Sequence, residues 1–215
     1  MNAIDEELKE EIIETLNFTV NSGYYSEEEI RTLCTEYLDE LVQDEDLPSL
    51  SQEDITKLID EIRSFYTNSS GTNYSRLREV FDQLNRERVI AVDYAGFDMS
   101  EGHEDVGEVF QFMKENNIPR NGYCFFHQQD IERSMDPTLK NLLLAFHSTD
   151  GDEEVALAVG QRIEALLGAA GFSVLWDHTL DQRICIQDFQ WDKTYNGEDT
   201  GVQRAIRVMA ATHLG

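Results

Sequence analysis

Residues Gly122 to Arg133 read G-Y-C-F-F-H-Q-Q-D-I-E-R, an aromatic run of strand formers that stops abruptly in polar and charged side chains. The pattern predicts a buried strand that delivers His127, Gln128, Gln129, Asp130, Glu132 and Arg133 to one edge of a sheet. Side chains alternate along a strand, so Tyr123, Phe125 and His127 share one face, and Cys124 points to the other. Cys124 and His127 therefore diverge and do not form half of a zinc site, whose ligands must converge on one ion.

Working outward from this strand, R-V-I-A-V-D-Y at 88 to 94 is a further strand. So are 140 to 147, 172 to 177 and 183 to 188, the last two forming a hairpin across Thr179 to Asp181. Helical stripes separate them. Ser75 caps a helix carrying Leu77, Val80, Phe81 and Leu84, and Asp105 to Asn116 is helical with Val106, Val109, Phe110 and Met113 inward. Glu153 to Leu167 is helical and ends at Gly168 and Gly171. A last helix turns Val202, Ile206 and Met209 inward and Arg204 and Arg207 outward. The fold class is α+β, with a mixed sheet of about five strands.

Together with L-L-L-A-F at 142 to 146, V-G-Q-R-I at 159 to 163, A-A-G-F-S-V-L-W-D at 169 to 177 and R-I-C-I at 183 to 186, the opening stretch resembles an uncharacterised bacterial family, a domain of unknown function. The resemblance spans about Tyr74 to Trp191. The family pattern carries C-C-x-x-C-G-H upstream of G-Y-V-F-F-H. Here Phe97, Asp98 and Glu101 stand at the cysteine positions, with Gly102 and His103 kept. The resemblance implies a fold and no activity, and the missing cysteines imply no structural metal.

Ahead of this region, Ile4, Leu8, Ile12, Leu16 and Val20 recur every four residues. Ser26 with Glu29 has the spacing of a capping box and opens a second helix with Ile30, Leu33, Cys34, Tyr37, Leu38 and Leu41 inward; Ser51 caps a third, with Ile55, Leu58, Ile59 and Ile62. Three amphipathic helices thus fill residues 1–67. The polar, glycine-bearing N-S-S-G-T-N at 68 to 73 sits in a linker at 68–74, and the α+β domain occupies 75–215.

The chain of 215 residues has a formal charge of -26. Residues 1 to 66 hold 19 acidic against 4 basic side chains, a net of -15, so the excess is concentrated at the front. A field of that sign repels nucleic acid and anionic lipid and attracts basic proteins. No stretch approaches 18 uninterrupted apolar residues, and no signal-peptide pattern follows Met1, so the expected compartment is the cytoplasm. Cys34, Cys124 and Cys185 are scattered within hydrophobic patterns and read as free thiols.

No nucleophile elbow and no phosphate-cradling loop is present, and no cofactor is expected. An enzyme could use His127, Asp130, Glu132, His147 and Asp177, all near expected strand ends. His103, Glu104 and Asp105 form a local oxygen and nitrogen cluster that fits a helix start better than a metal site. Asp150-Gly151-Asp152 lacks the twelve-position ligand pattern of a calcium loop and reads as a turn. The leading expectation is an acidic binder of a basic protein, of the kind that neutralises a toxin or nuclease as immunity proteins do. Its contact residues would be Asp39, Glu40, Asp44, Glu45 and Asp46, then His127, Asp130 and Glu132. An uncharacterised enzyme and a scaffold or regulatory module are the alternatives.

Overall fold

The computed structural model describes residues 6–45, 48–66 and 71–215, in which eight helices and five strands are found. Asp46 of the acidic run, Ile4 of the first stripe, residue 67 at the end of the expected helical segment and residues 68–70 of the expected linker lie outside the described residues. Two compact units are present. One comprises Met1–Ser70 with Asp192–Gly197, the other Gly71–Trp191 with Glu198–Gly215. The sequence boundary assigned residues 192–197 to the second domain, whereas the fold places them with the first.

The first unit is built from α1 (Glu6–Asn21), α2 (Glu27–Asp44) and α3 (Gln52–Phe65). Ile12, Leu16 and Val20 meet Ile30, Cys34 and Leu38 of α2 and Ile55, Leu58, Ile59 and Ile62 of α3, all buried. Each such aliphatic side chain contributes about 2 kcal/mol, enough to offset considerable crowding of charge on the outer faces. Both expected serine caps form. Ser26 Oγ accepts from Glu29 N at 3.2 Å while Glu29 Oε2 accepts from Ser26 N at 2.7 Å, and Ser51 and Asp54 repeat the box on α3. Gly23 follows α1 at φ +74, and a Cβ there would lie 2.2 Å from the carbonyl oxygen of Lys193, so only glycine fits beneath the returning segment.

The second unit contains α4 (Asn73–Arg86), β1 (Val89–Val92), α5 (Met99–Glu115), β2 (Gly122–Phe125), α6 (Gln128–Met135), β3 (Leu142–Ser148), α7 (Glu153–Ala169), β4 (Ser173–Leu175), β5 (Ile184–Gln187) and α8 (Gly201–His213). The sheet order is β1-β2-β3-β5-β4. β1 and β2 are parallel, joined through α5, and every other pairing is antiparallel, so the fold is α+β with a mixed five-stranded sheet. Ile90, Val92, Phe125 and Ala145 face α5 and α8, where Val106, Val109, Met113, Ala205 and Met209 complete a core. The other face meets α7, which passes close over Gly122: a Cβ there would lie 2.7 Å from a Val159 methyl of α7 and 2.5 Å from the His147 carbonyl oxygen of the neighbouring strand β3.

Several element ends differ from expectation for identifiable reasons. β2 stops at Phe125, and the polar run beginning at His127 is the N-terminus of α6 rather than a strand edge. Gln, Glu and Arg are good helix formers, and Ile131, Ser134 and Met135 give the run a buried face. α5 starts at Met99, well before Asp105, because the Asp98 carboxylate accepts from Ser100 N at 2.8 Å and Glu101 N at 3.2 Å. α4 starts at Asn73, ahead of Ser75, whose hydroxyl instead donates to Thr72 O. Arg204 does not point to solvent; its Nε and Nη2 bind the two oxygens of Asp82 at 2.8 and 2.6 Å.

Candidate functional site

Within the first unit, Asp39, Glu40, Asp44 and Glu45 are all exposed on the C-terminal half of α2. This is the unfavourable end for them. The aligned peptide dipoles place negative charge at a helix C-terminus, and the last turn of α2 contains no basic residue to compensate. The basic side chains of Met1–Ser70 are engaged elsewhere. Lys9 pairs with Glu61 at 2.6 Å, Lys57 with Glu53 at 2.7 Å and Arg63 with Glu27 at 2.6 Å, while Arg31 donates to Thr56 Oγ1. Among the described residues, none of the four carboxylates has an ion-pair partner.

In the second unit, the parallel strands β1 and β2 send their following loops out side by side. Ala95 N donates to Phe126 O at 2.9 Å and Gln128 N to Gly96 O at 3.0 Å, zipping the two loops together. His127 occupies the cap position of α6 with extended backbone, and its N–H donates to Asp130 Oδ2 at 3.3 Å. Asp130 is also gripped by Arg183, whose Nη1 lies 3.0 and 3.2 Å from its two oxygens. Both members of the cap are inaccessible, His127 at 3% and Asp130 at 1% exposure. Burial pushes the Asp130 carboxyl upward, with Arg183 and then His127 pulling it back. Burial lowers the His127 imidazole, opposed by Asp130, and Arg183 adds to the lowering. Nδ1 of His127 approaches Asp130 Oδ2 to 3.3 Å but lacks the alignment of a hydrogen bond, leaving a neutral ring with an unsatisfied nitrogen.

Glu132 is exposed on α6 and accepts from Gln128 Nε2 at 2.9 Å. The remaining residues considered for catalysis do not assemble around His127. His147 pairs in register with Tyr123, four residues back along β2 and so about 13 Å from the His127 end. Asp177 Oδ1 accepts from the amide and hydroxyl of Thr179. A buried acid the sequence reading passed over, Asp93, follows β1. It accepts from Tyr74 Oη at 2.5 Å and from Gly201 N at 2.8 Å, tying α4 and the start of α8 to the strand. Its only sequence signal was an acid directly after an apolar strand.

His103 is exposed in the second turn of α5, with its ring against Tyr123 and Phe125 at 5.6 and 5.2 Å between centroids. Among the described residues, no group of three or more histidine, cysteine or acidic side chains is placed to hold a metal ion. Cys34 and Cys124 are buried free thiols and Cys185 is a half-buried one. No helix among the described residues is long and apolar enough to cross a membrane.

No curated protein and no solved structure matches the chain. A family model, Domain of unknown function (DUF6891), matches residues 5–195. The match begins far ahead of the resemblance read at residues 74 to 191 and takes in all three N-terminal helices and the returning segment up to Tyr195. The acidic helices and the sheet are therefore parts of one family domain, and the chain belongs to the DUF6891 family.

Proposed function

We propose that this protein is an acidic binding module whose α2 face docks on a basic surface of another protein. The observation that carries the reading is the placement of Asp39, Glu40, Asp44 and Glu45. Asp44 and Glu45 sit at the end of α2 where the helix dipole opposes them, Asp39 and Glu40 lie one turn earlier, and all four are exposed without ion pairs among the described residues, while α2's apolar stripe is committed to the core. Asp44 and Glu45 in that position cost the isolated helix about 1 kcal/mol together, a local sacrifice of stability of the kind found at binding surfaces. A basic partner removes the cost on binding and is steered in by the long-range field. A toxin or nuclease with a cationic active surface is the class of partner such a face would mask, in the manner of an immunity protein.

The burial of His127 and Asp130 disfavours the enzymatic alternative, because a general base must reach its substrate. It also removes both from direct contact with a partner protein, leaving Glu132 as the accessible acid of that corner. The test is capture of a partner from the source cells by the wild-type protein and by a variant with Asp39, Glu40, Asp44 and Glu45 all changed to Lys. The expected result is a stoichiometric basic partner, retained by wild type, released by salt and not retained by the variant. Equal retention by both proteins contradicts the reading.

A further inference from the structure

One face of the sheet is covered by helices over β1 and β2 but left open over β5 and β4. Register places Leu143 of β3, Cys185 of β5 and Leu175 of β4 in a single cross-strand row. The residues alternating with them, Leu142, Leu144, Ile184 and Ile186, are fully buried against the α7 side. The row itself is not: Leu175 is 59% exposed and Leu143 and Cys185 are half-buried. On this side α5 and α8 pack over β1 and α6 reaches β3, which leaves β5 and β4 without a packed helix. The result is a groove of about 450 Å³ with Leu143, Leu175, Trp176 and Cys185 among its walls and Gln182 and Arg183 at its rim. That size falls within the range of roughly 300–1,000 Å³ found for small-molecule sites.

Arg183 gives the groove its chemistry. Its Nη1 is anchored on Asp130, a carboxylate that is 1% exposed and further held by the His127 amide. The same guanidinium has its Nε and Nη2 donors without a hydrogen-bond partner among the described residues, and its side chain is 33% exposed. One edge of the fork is thus fixed and the other presented to the groove, with no rotamer left to order on binding. Arg133 is exposed and without an ion pair among the described residues, and it stands near enough that its field, with that of Arg183, bears on the Cys185 thiol. The charge of Arg183 is balanced by Asp130, so the groove offers one oriented donor edge beside an apolar floor rather than a net positive field. The one acid in the lining, Asp177, has Oδ1 occupied by Thr179.

We propose that the groove between Arg183 and the Leu143–Cys185–Leu175 row binds a small amphiphilic carboxylate, its anion on Arg183 and its hydrocarbon on the row. A monoanion is favoured over phosphate because the surrounding charge disfavours each added negative charge and because the floor offers only apolar contact. The site shares no residue with the α2 face and does not rest on the partner-binding reading.

The test is titration of the full chain with octanoate, octanol and inorganic phosphate, read by calorimetry and by the methyl shifts of Leu143 and Leu175. Octanoate is expected to bind saturably and to shift both methyl pairs, with octanol weaker by about tenfold or more and phosphate failing to compete. Arg183→Gln combined with Asp130→Asn, which avoids stranding a buried charge, should weaken octanoate about tenfold and erase its advantage over octanol. Leu175→Asp, a substitution at an exposed position that leaves the Arg183 anchor intact, should weaken it by a similar factor. Absence of saturable binding to wild type, equal affinity for octanoate and octanol, competition by phosphate, or octanoate binding untouched by Leu175→Asp would each overturn the proposal.

Discussion

Nη1 of Arg183 lies 3.0 and 3.2 Å from the two carboxylate oxygens of Asp130, so the residue leading into β5 is locked to the first turn of α6. Removing the guanidinium leaves a buried carboxylate without its counter-charge. Arg183→Met should lower stability by about 3 kcal/mol at pH 7, and adding Asp130→Asn should recover most of the loss. Asp130 already titrates above the ordinary carboxylate value because it is buried, and losing Arg183 raises it further. The deficit should therefore shrink as pH falls through that raised value and the carboxyl becomes neutral, which urea melts across the acid range will read.

His127 gives a pH dependence of opposite sign. Its folded pKa is depressed by burial, so the unfolded chain binds the extra proton first. The contribution to stability is fully present above the unfolded value of about 6.5 and is lost as pH falls through the folded one. His127→Gln should flatten the decline in stability just below pH 6.5 by up to about 1.4 kcal/mol per pH unit. Asp130 moves stability the other way, so the difference between wild type and His127→Gln isolates the imidazole. An unchanged slope contradicts a buried neutral ring.

Arg204 holds Asp82 through two nitrogens, with side-chain exposures of 13% and 11%. Arg204→Met should lower the melting temperature by the equivalent of about 3 kcal/mol. Arg204→Lys should restore less than half, because an ammonium cannot reproduce the paired geometry. Full rescue by lysine would show that charge alone matters.

In the first unit, Lys193 is 4% exposed, donates from Nζ to Gly23 O at 2.7 Å and lies 4.5 Å from the centre of the Tyr24 ring. Lys193→Met keeps the hydrocarbon and removes both interactions, an expected loss of about 2 kcal/mol. Protease cleavage within residues 192–197 should accelerate in the variant. Unchanged cleavage would indicate that the segment is held by its backbone and aromatic contacts instead.

Much of this architecture is legible from the chain because local signals agree with global packing. The serine caps at Ser26 and Ser51, the stop at Gly171 and the β-branched strands all form as their residue types dictate. The stretch at Gly122 to Arg133 shows the limit. Aromatic residues mark β2 correctly, but the helix that follows depends on a cap made by Asp130 and on Arg183, fifty-three residues away, so local pattern extended the strand too far. Helical periodicity turns Arg204 outward for the same reason, since it cannot reveal that Asp82 waits on a neighbouring helix. Exposure of the α2 carboxylates needed only the amphipathic pattern. The burial of His127 and Asp130 needed the sheet.

The most direct measurement for the α2 face is the association rate with the captured partner, followed by stopped flow at about 50 and 200 mM salt, where screening lengths differ about twofold. Wild type should associate about tenfold or more faster at the lower salt. The lysine variant of Asp39, Glu40, Asp44 and Glu45 should associate slowly with a flat salt response. Its melting temperature should be equal to or above that of wild type, since lysine suits the C-terminal end of α2. Association at the wild-type rate, with the wild-type salt dependence, in a variant that is folded would contradict the account.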